Sequence, residues 1–365
     1  MRVHFKKSYD EDIRLFEDWR RAAKYGVLIA LMTALPFLIS DYILGEVTLV
    51  LVWCIAGMGL MILAGHTGQV SLGHAAFMAI GAFSNLWFMS QGMHFLIALP
   101  LAAIFTGVIG AVIALPILRL SGIYLAIATL ALSIIVEDIA IVAEPYTGGV
   151  AGVFAPPIEM FGLTIDRYGS PKAFYWMCLI CVVVVTLGYA NLLRSATGRS
   201  FLAVRDSEVS ARALGVNVTR TKALAFGLSC AVTGLAGALY AHFIQIVNYE
   251  SFLILISITL VLQVVIGGLG SIHGAFFGAI VVGLLPQGIA ILRDFLQGSV
   301  GIDISAYPGI DTAVFAAIIV AIVIYEPLGL YGFYMKLKAQ WQLFPLARRD
   351  MFRRSKSYLK TERMR

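Results

Sequence analysis

Four stretches of the chain carry residue types able to do chemistry, and each lies in or beside an apolar run. The first is Gly65-His66-Thr67-Gly68-Gln69-Val70-Ser71-Leu72-Gly73-His74-Ala75-Ala76-Phe77. Non-helical backbone at membrane depth survives only where protein or a water-filled cavity covers it. Glycine-interrupted apolar segments therefore point to a route across a bilayer. An ordinary connecting loop with solvated His66 and His74 is the competing reading. The second stretch is Glu137-Asp138, followed by Glu144-Pro145-Tyr146-Thr147-Gly148-Gly149. An ionised carboxylate at the centre of a bilayer costs about 2.5–3.5 kcal/mol on insertion scales, so it should face a cavity or a partner. Nearer the interface that cost falls, and a helix-end role competes. His242, Gln245 and Gln263 suit hydrogen bonds between helices.

The third stretch runs from Ala203 through Arg205-Asp206-Ser207-Glu208 and Ala211-Arg212-Ala213-Leu214-Gly215 to Lys222. Asp206 or Ser207 can cap a short helix, the acids suit its N-terminal end, and Gly215 can stop it. Asn217 or Thr219 can cap the next element. A two-turn helix with small faces suits a groove on another protein; the alternative is a solvated basic loop. The fourth stretch, Gly267-Gly268-Leu269-Gly270-Ser271-Ile272-His273-Gly274, lacks the spacing of a phosphate-binding loop and suits close helix packing. Nothing in the chain resembles a nucleotide site, a catalytic triad or a metal site, so neither an enzyme nor a bound cofactor is expected. Cys178 and Cys181 form a C-x-x-C inside an apolar run without acidic or histidine partners, which reads as packing.

The elements that must position these residues follow from composition. Of 365 residues, 60% are hydrophobic and 13% charged, about half the charge of an average soluble domain, and the mean hydropathy is +0.88. That excludes a solvated globular enzyme, a disordered chain and a nucleic-acid reader. The apolar runs approach the length needed to cross about 30 Å of hydrocarbon. They are continuous rather than alternating, which argues for helices and against a barrel. The expectation is an all-α polytopic bundle with spans near 27–44, 47–64, 75–90, 95–118, 122–143, 173–193, 223–244, 252–268, 273–292 and 313–325, about ten in all. Of the 27 Lys and Arg, 23 fall within 1–24, 194–222 and 336–365. An even number of spans on each side of the middle segment puts all three on one face, the cytoplasmic one by the positive-inside rule. The chain thus divides into an N-terminal extension (1–25), a transmembrane domain (26–335) and a basic C-terminal tail (336–365). The extension mixes seven bases with five acids and reads as a retained cytoplasmic segment rather than a cleaved signal. The tail reads as a segment attracted to anionic lipid or to a partner.

Six motifs in order resemble one family. They are Gly68 through Phe77; Thr147-Gly148-Gly149 with Gly152; Arg205-Asp206 through Ala213-Leu214-Gly215; Gly234 through Tyr240; Val265 through Ser271; and Glu326-Pro327-Leu328-Gly329-Leu330. Together they resemble the permease subunit of branched-chain amino acid ABC importers, LivM type, in the hydrophobic amino acid uptake family. The resemblance implies an inner-membrane permease paired with a second, LivH-like permease, two cytoplasmic ATPase subunits that use the ATP, and a periplasmic solute-binding protein. It also implies residue roles. Arg205, Asp206, Ser207, Glu208, Ala211, Ala213, Leu214 and Gly215 would form the coupling helix that docks on an ATPase. Gly68, Gln69, Ser71, Gly73, His74, Glu137, Thr147, Gly148 and Gly149 would line the path. The sequence departs from the family pattern where Ala151 precedes Gly152 in place of an asparagine, and in its longer tail, so urea, amides or aromatic acids compete as substrates. A stand-alone secondary transporter using Glu137 and Asp138 as proton carriers is the rival from another class.

Overall fold

The computed structural model describes residues 19–117, 120, 122–160, 162–300 and 309–343. The first eighteen residues of the N-terminal extension and positions 344–365 of the basic tail lie outside the described residues, as do 301–308 of an expected outer loop. Long helices form where the apolar runs predict them. In order they are α1 (Trp19–Ala34), α2 (Asp41–Leu60), α3 (His74–Ser90), α4 (Phe95–Ile117), α5 (Ile123–Val142) and the single turn α6 (Glu144–Thr147). Then follow α7 (Pro171–Arg194), α8 (Ala196–Asp206), α9 (Glu208–Ala213) and α10 (Val218–Ile244). The last four are α11 (Ile254–Gly267), α12 (Ile272–Val300), α13 (Ile310–Tyr325) and α14 (Gly329–Leu343).

Two expectations change. The run read as one span over 27–44 is two elements. α1 gives way to a 3-10 turn at Leu35–Phe37, and a new helix starts at Asp41. Pro36 lacks the N–H that the ladder would use there, and the Tyr175 hydroxyl bonds the Met32 carbonyl instead; Pro100, Pro116 and Pro286, by contrast, are accommodated inside α4 and α12. The bundle is also not purely helical. β1 (Val153–Phe154) pairs antiparallel with β4 (Ile246–Val247), and β2 (Ile158–Met160) with β3 (Leu163–Ile165). Pro156 and Pro157 forbid a helix there, and the strands answer the backbone groups instead. Among the described residues seven helical segments are long and apolar enough to cross a membrane, or eight if α13 and α14, bent by 51°, count as one.

At the centre stands α10, packed along α4, α3 and α2. Lipid tails are as apolar as leucine, so helices in a bilayer associate by close packing rather than by hydrophobic exclusion. Glycine permits that approach here: a Cβ on Gly237 would lie 2.0 Å from the Met78 carbonyl oxygen, and one on Gly81 2.1 Å from that of Gly234. Contacts also sort the chain between the two ends of the bundle. One end holds Tyr25, whose hydroxyl lies 2.8 Å from His273 Nε2. It also holds the 65–73 connection, α8 and α9, and Gly268 against Leu328 and Tyr331. The other end holds both strand pairs and the Arg293–Asp311 ion pair. Replacing Gly237 by leucine should force α3 and α10 apart and cost at least about 1–3 kcal/mol. A marked fall in the melting temperature of the purified chain is the expected readout.

Candidate functional site

At the end that holds α8 and α9, helix α2 does not simply stop. It widens into a π-helical turn over Met61–Gly65, a geometry often found at functional positions. Helical form persists through His66 and Thr67, and the chain then leaves it from Gly68 until α3 begins at His74. The polar side chains of His66, Thr67, Gln69, Ser71 and His74 are all buried, whereas Gly68 and Val70 between them are exposed. Side chains answer the backbone groups that the unwinding frees. Thr67 Oγ1 donates to the Leu63 carbonyl (2.6 Å), Leu72 N–H donates to Thr129 Oγ1 (3.0 Å), and Ala75 N–H donates to Ser257 Oγ (2.8 Å). His66 Nδ1 sits 3.1 Å from the Met61 carbonyl and 2.9 Å from the Tyr189 hydroxyl.

His74 is the hub of this stretch. Ser229 donates its proton to the Gly59 carbonyl (2.6 Å), so its oxygen must accept from His74 Nε2 (2.7 Å). That leaves Nδ1 to accept from Ser71 Oγ at 3.0 Å. One neutral tautomer satisfies every partner and ties α2, α3 and α10 together. Gln69 donates to Thr67 Oγ1 at 3.1 Å, while its carbonyl oxygen is buried without a partner among the described residues. Gly73 closes the stretch, since a Cβ there would lie 2.4 Å from the Thr129 carbonyl oxygen.

The basic middle segment folds as two short helices, with serine and asparagine caps that fix its turns. Ser195 accepts from Gly198 N–H, Ser207 from Ser210 N–H, and Asn217 from Arg220 N–H. Helix α8 is absent from the sequence reading, which began the helix near Asp206. Gly215 adopts a φ of +85° and ends the segment, a conformation that glycine alone reaches without strain. Ala211 packs inward against Val204 and Val218. Ala213 and Leu214 are exposed, as is Val209. Glu208 pairs with Lys222 at 2.6 Å, which fastens α9 to α10.

Arg205 joins this segment to the unwound stretch. Its Nη1 donates to the Gly65 carbonyl oxygen at 3.0 Å, and Nη2 lies 3.3 Å from Asp206. Glycines clear the space around it. A Cβ on Gly68 would lie 3.2 Å from Arg205 Cγ, one on Gly270 3.3 Å from Nη1, and one on Gly65 2.8 Å from the Gly270 nitrogen. Three separate sequence motifs therefore meet in one joint.

Thr147, Gly148 and Gly149 lie elsewhere, beyond α5 beside the β1–β4 pair. Thr147 Oγ1 lies 2.6 Å from the Ala140 carbonyl and accepts from Gly149 N–H at 3.2 Å. Gly148 abuts the Gly152 backbone, and Gly152 abuts that of Val247. Glu137 is half-buried and Asp138 exposed on α5; within the described residues neither makes a hydrogen bond or ion pair. A cavity of about 210 Å³ nearby is lined by Phe154, Pro156, Asp166, His242 and Gln245 among others. His242 Nε2 lies 2.9 Å from Asn85 Oδ1. Gln263 Nε2 donates to the Trp53 carbonyl at 2.9 Å, as suits a bond between helices. Cys178 is a free buried thiol and Cys181 a free, partly buried one. The sequence reading missed Thr129, Ser229, Ser257 and Asn85. Their only signal is a polar side chain within an apolar run, which does not name its partner. Ser229→Ala should strand both His74 and the Gly59 carbonyl and destabilise by about 1–3 kcal/mol. His74→Ala combined with it should add much less than its own separate cost, a non-additivity measurable by thermal unfolding of the three variants.

The chain matches the family described as "Branched-chain amino acid transport system / permease component" over residues 42–325. It is 33% identical over 294 residues to the high-affinity branched-chain amino acid transport system permease protein LivM of Escherichia coli, spanning 74% of this chain and 68% of that protein. The same identity and coverage hold for LivM of Salmonella typhimurium. It is 24% identical over 209 residues to the probable branched-chain amino acid transport permease protein LivH of Methanocaldococcus jannaschii, spanning 57% of this chain and 64% of that protein. No solved structure matches the chain.

Proposed function

This chain belongs to the branched-chain amino acid transport permease family, and we propose that it moves branched-chain or related hydrophobic amino acids inward across the plasma membrane. It is a membrane transport subunit and not an enzyme, ATP hydrolysis being the work of separate subunits. In this reading a LivH-like permease stands beside it, two cytoplasmic ATPase subunits drive the pair, and a periplasmic binding protein delivers the substrate. The shorter helices α1 and α3 cross the membrane as well as the longer ones. With α13 and α14 taken as one bent span, that gives ten crossings and places α8, α9 and both termini in the cytoplasm.

The observation that carries the mechanism is the bond from Arg205 to the Gly65 carbonyl. The exposed Val209, Ala213 and Leu214 form the surface that an ATPase pushes. Glu208 and Lys222 pass the movement to α10, while Arg205 passes it to the unwound 65–73 stretch and so to α3. Arg205 and Asp206 hold the segment's angle, Ser207 caps it and Gly215 ends it, whereas Ala211 anchors it from within. The path runs along the face of α5 that bears Glu137 and Asp138. A carboxylate there cannot face lipid cheaply, so the second permease and the water between the two cover it. Gly68, Gln69, Ser71, Gly73 and His74 shape the inner end of that path, and Thr147, Gly148 and Gly149 its outer end. Ala151 leaves aromatic acids, urea and amides as the competing substrates, separable by a ligand screen on the binding protein.

Reconstitution of the permease pair with ATPase and binding protein tests the reading. Arg205→Ala should lower uptake about tenfold or more, given the 1.5–3 kcal/mol of a charged hydrogen bond, while ATP hydrolysis persists. Arg205→Lys should recover part of the loss. Uptake by this chain alone in liposomes, abolished by an uncoupler, would establish the ion-coupled rival instead.

A further inference from the structure

Helices α4 and α10 touch where Gly227 meets Gly107 and Ala111. A Cβ on Gly227 would lie 3.0 Å from that of Ala111 and 3.1 Å from the Gly107 carbonyl oxygen. Toward the end that holds α8 and α9 the two helices diverge and leave an open groove of about 370 Å³. Ala111 and Leu115 form one wall, Ala223 and Leu224 the other, and Asn217, Thr219 and Arg220 stand at its mouth. Leu115 and Leu224 are 55% and 45% exposed, so no other part of the described residues fills the space. Between Ala111 and Leu115 the wall runs four residues, about 6 Å of helix. That is the depth of the headgroup-proximal part of an acyl chain.

Charge at the mouth decides the occupant. Arg220 is exposed and has no ion-pair partner among the described residues. The carboxylates on the segment before it are already engaged, Asp206 by Arg205 and Glu208 by Lys222. An unmatched guanidinium above an apolar slot, where spanning helices emerge from hydrocarbon, has the make-up of a phospholipid site. Guanidinium binds phosphate bidentately, and basic pockets between spanning helices hold anionic headgroups. We propose that this groove seats one chain of an anionic phospholipid, with the phosphate on Arg220 and the Thr219 hydroxyl. The site adjoins the first turn of α10, to which Glu208 and Lys222 fasten α9, so the lipid braces the segment that receives the push. The proposal requires only that the chain span the membrane, and it stands apart from the identity of the substrate.

The test is lipid binding to the full-length chain in detergent, stripped of lipid and titrated with phosphatidylglycerol or phosphatidylcholine, with retained lipid counted by native mass spectrometry. Phosphatidylglycerol should be retained preferentially. Arg220→Gln should weaken it about fivefold, the equivalent of about 1 kcal/mol per basic residue at a membrane surface. Arg212→Gln, an equal loss of charge outside the groove, should leave it unchanged, and Leu115→Trp should reduce retention by filling the slot. Equal retention of the two lipids, or equal losses in the Arg220 and Arg212 variants, would overturn the proposal. So would a direct disulfide between Leu115→Cys, within the groove, and an ATPase subunit in the assembled transporter, which would make the groove the motor's seat.

Discussion

Lipid offers no hydrogen bonds, so every backbone group freed where α2 unwinds must find its partner inside the protein. That constraint accounts for an otherwise scattered set of residues. Thr129 on α5, Ser257 on α11, Ser229 on α10 and Tyr189 on α7 each send one polar atom to the stretch between Met61 and Ala75 or to its partner His74. Arg205 does the same from outside the spanning helices by binding the Gly65 carbonyl. The unwound stretch is therefore the point at which α2, α3, α5, α7, α10, α11 and the α8–α9 segment are joined. A displacement of any one of these is felt by the others through directional bonds rather than through adaptable apolar contact.

The helical frame was legible because spans are decided by long-range averages of hydropathy, which single residues hardly disturb. The runs expected at 95–118 and 122–143 are Phe95–Ile117 and Ile123–Val142. Where one residue overrides the average, the reading fails. Pro36 divides a run that hydropathy alone joins. Helix α8 was unreadable for the opposite reason, since Arg199, Ser200 and Arg205 among small residues have the composition of a basic loop. Its helical state depends on the Ser195 cap and on burial of Phe201 and Val204. The strands at the other end are two or three residues long, too short for an alternating pattern to register.

The candidate site was legible by type and not by partnership. Glycine-rich interruption and small polar residues drew attention to Gly68 through His74, but solvated loop and buried joint have the same composition. What separates them is supplied from far along the chain: Ser229 stands 155 residues beyond His74, and Arg205 stands 140 beyond Gly65. The motif at Gly267 through Gly270 is similar. Read alone it is a helix-packing stretch, yet Gly270 takes a φ of +82° and lies against Arg205 and the Gly65 backbone. One sequence cannot show that three motifs are glycine-rich for a single reason.

The two ends of the bundle use left-handed glycines against different neighbours. Beside Arg205, Gly68 and Gly270 take left-handed backbone at the place where a charged side chain from the α8–α9 segment reaches a main-chain carbonyl. Beside Thr147, glycine takes left-handed backbone and lets the α5–α6 corner close onto the β1–β4 pair. The first arrangement carries part of its connection through one side chain, Arg205. The second distributes it over backbone contacts that cannot be released singly. At the end where α8 and α9 lie, the segment is held by the Arg205–Gly65 bond, the Glu208–Lys222 pair and the packing of Ala211 on Val204 and Val218. α3 and α10 are the helices most directly tied to this end, since they hold His74 and Ser229 as well as the bond from Lys222 to Glu208.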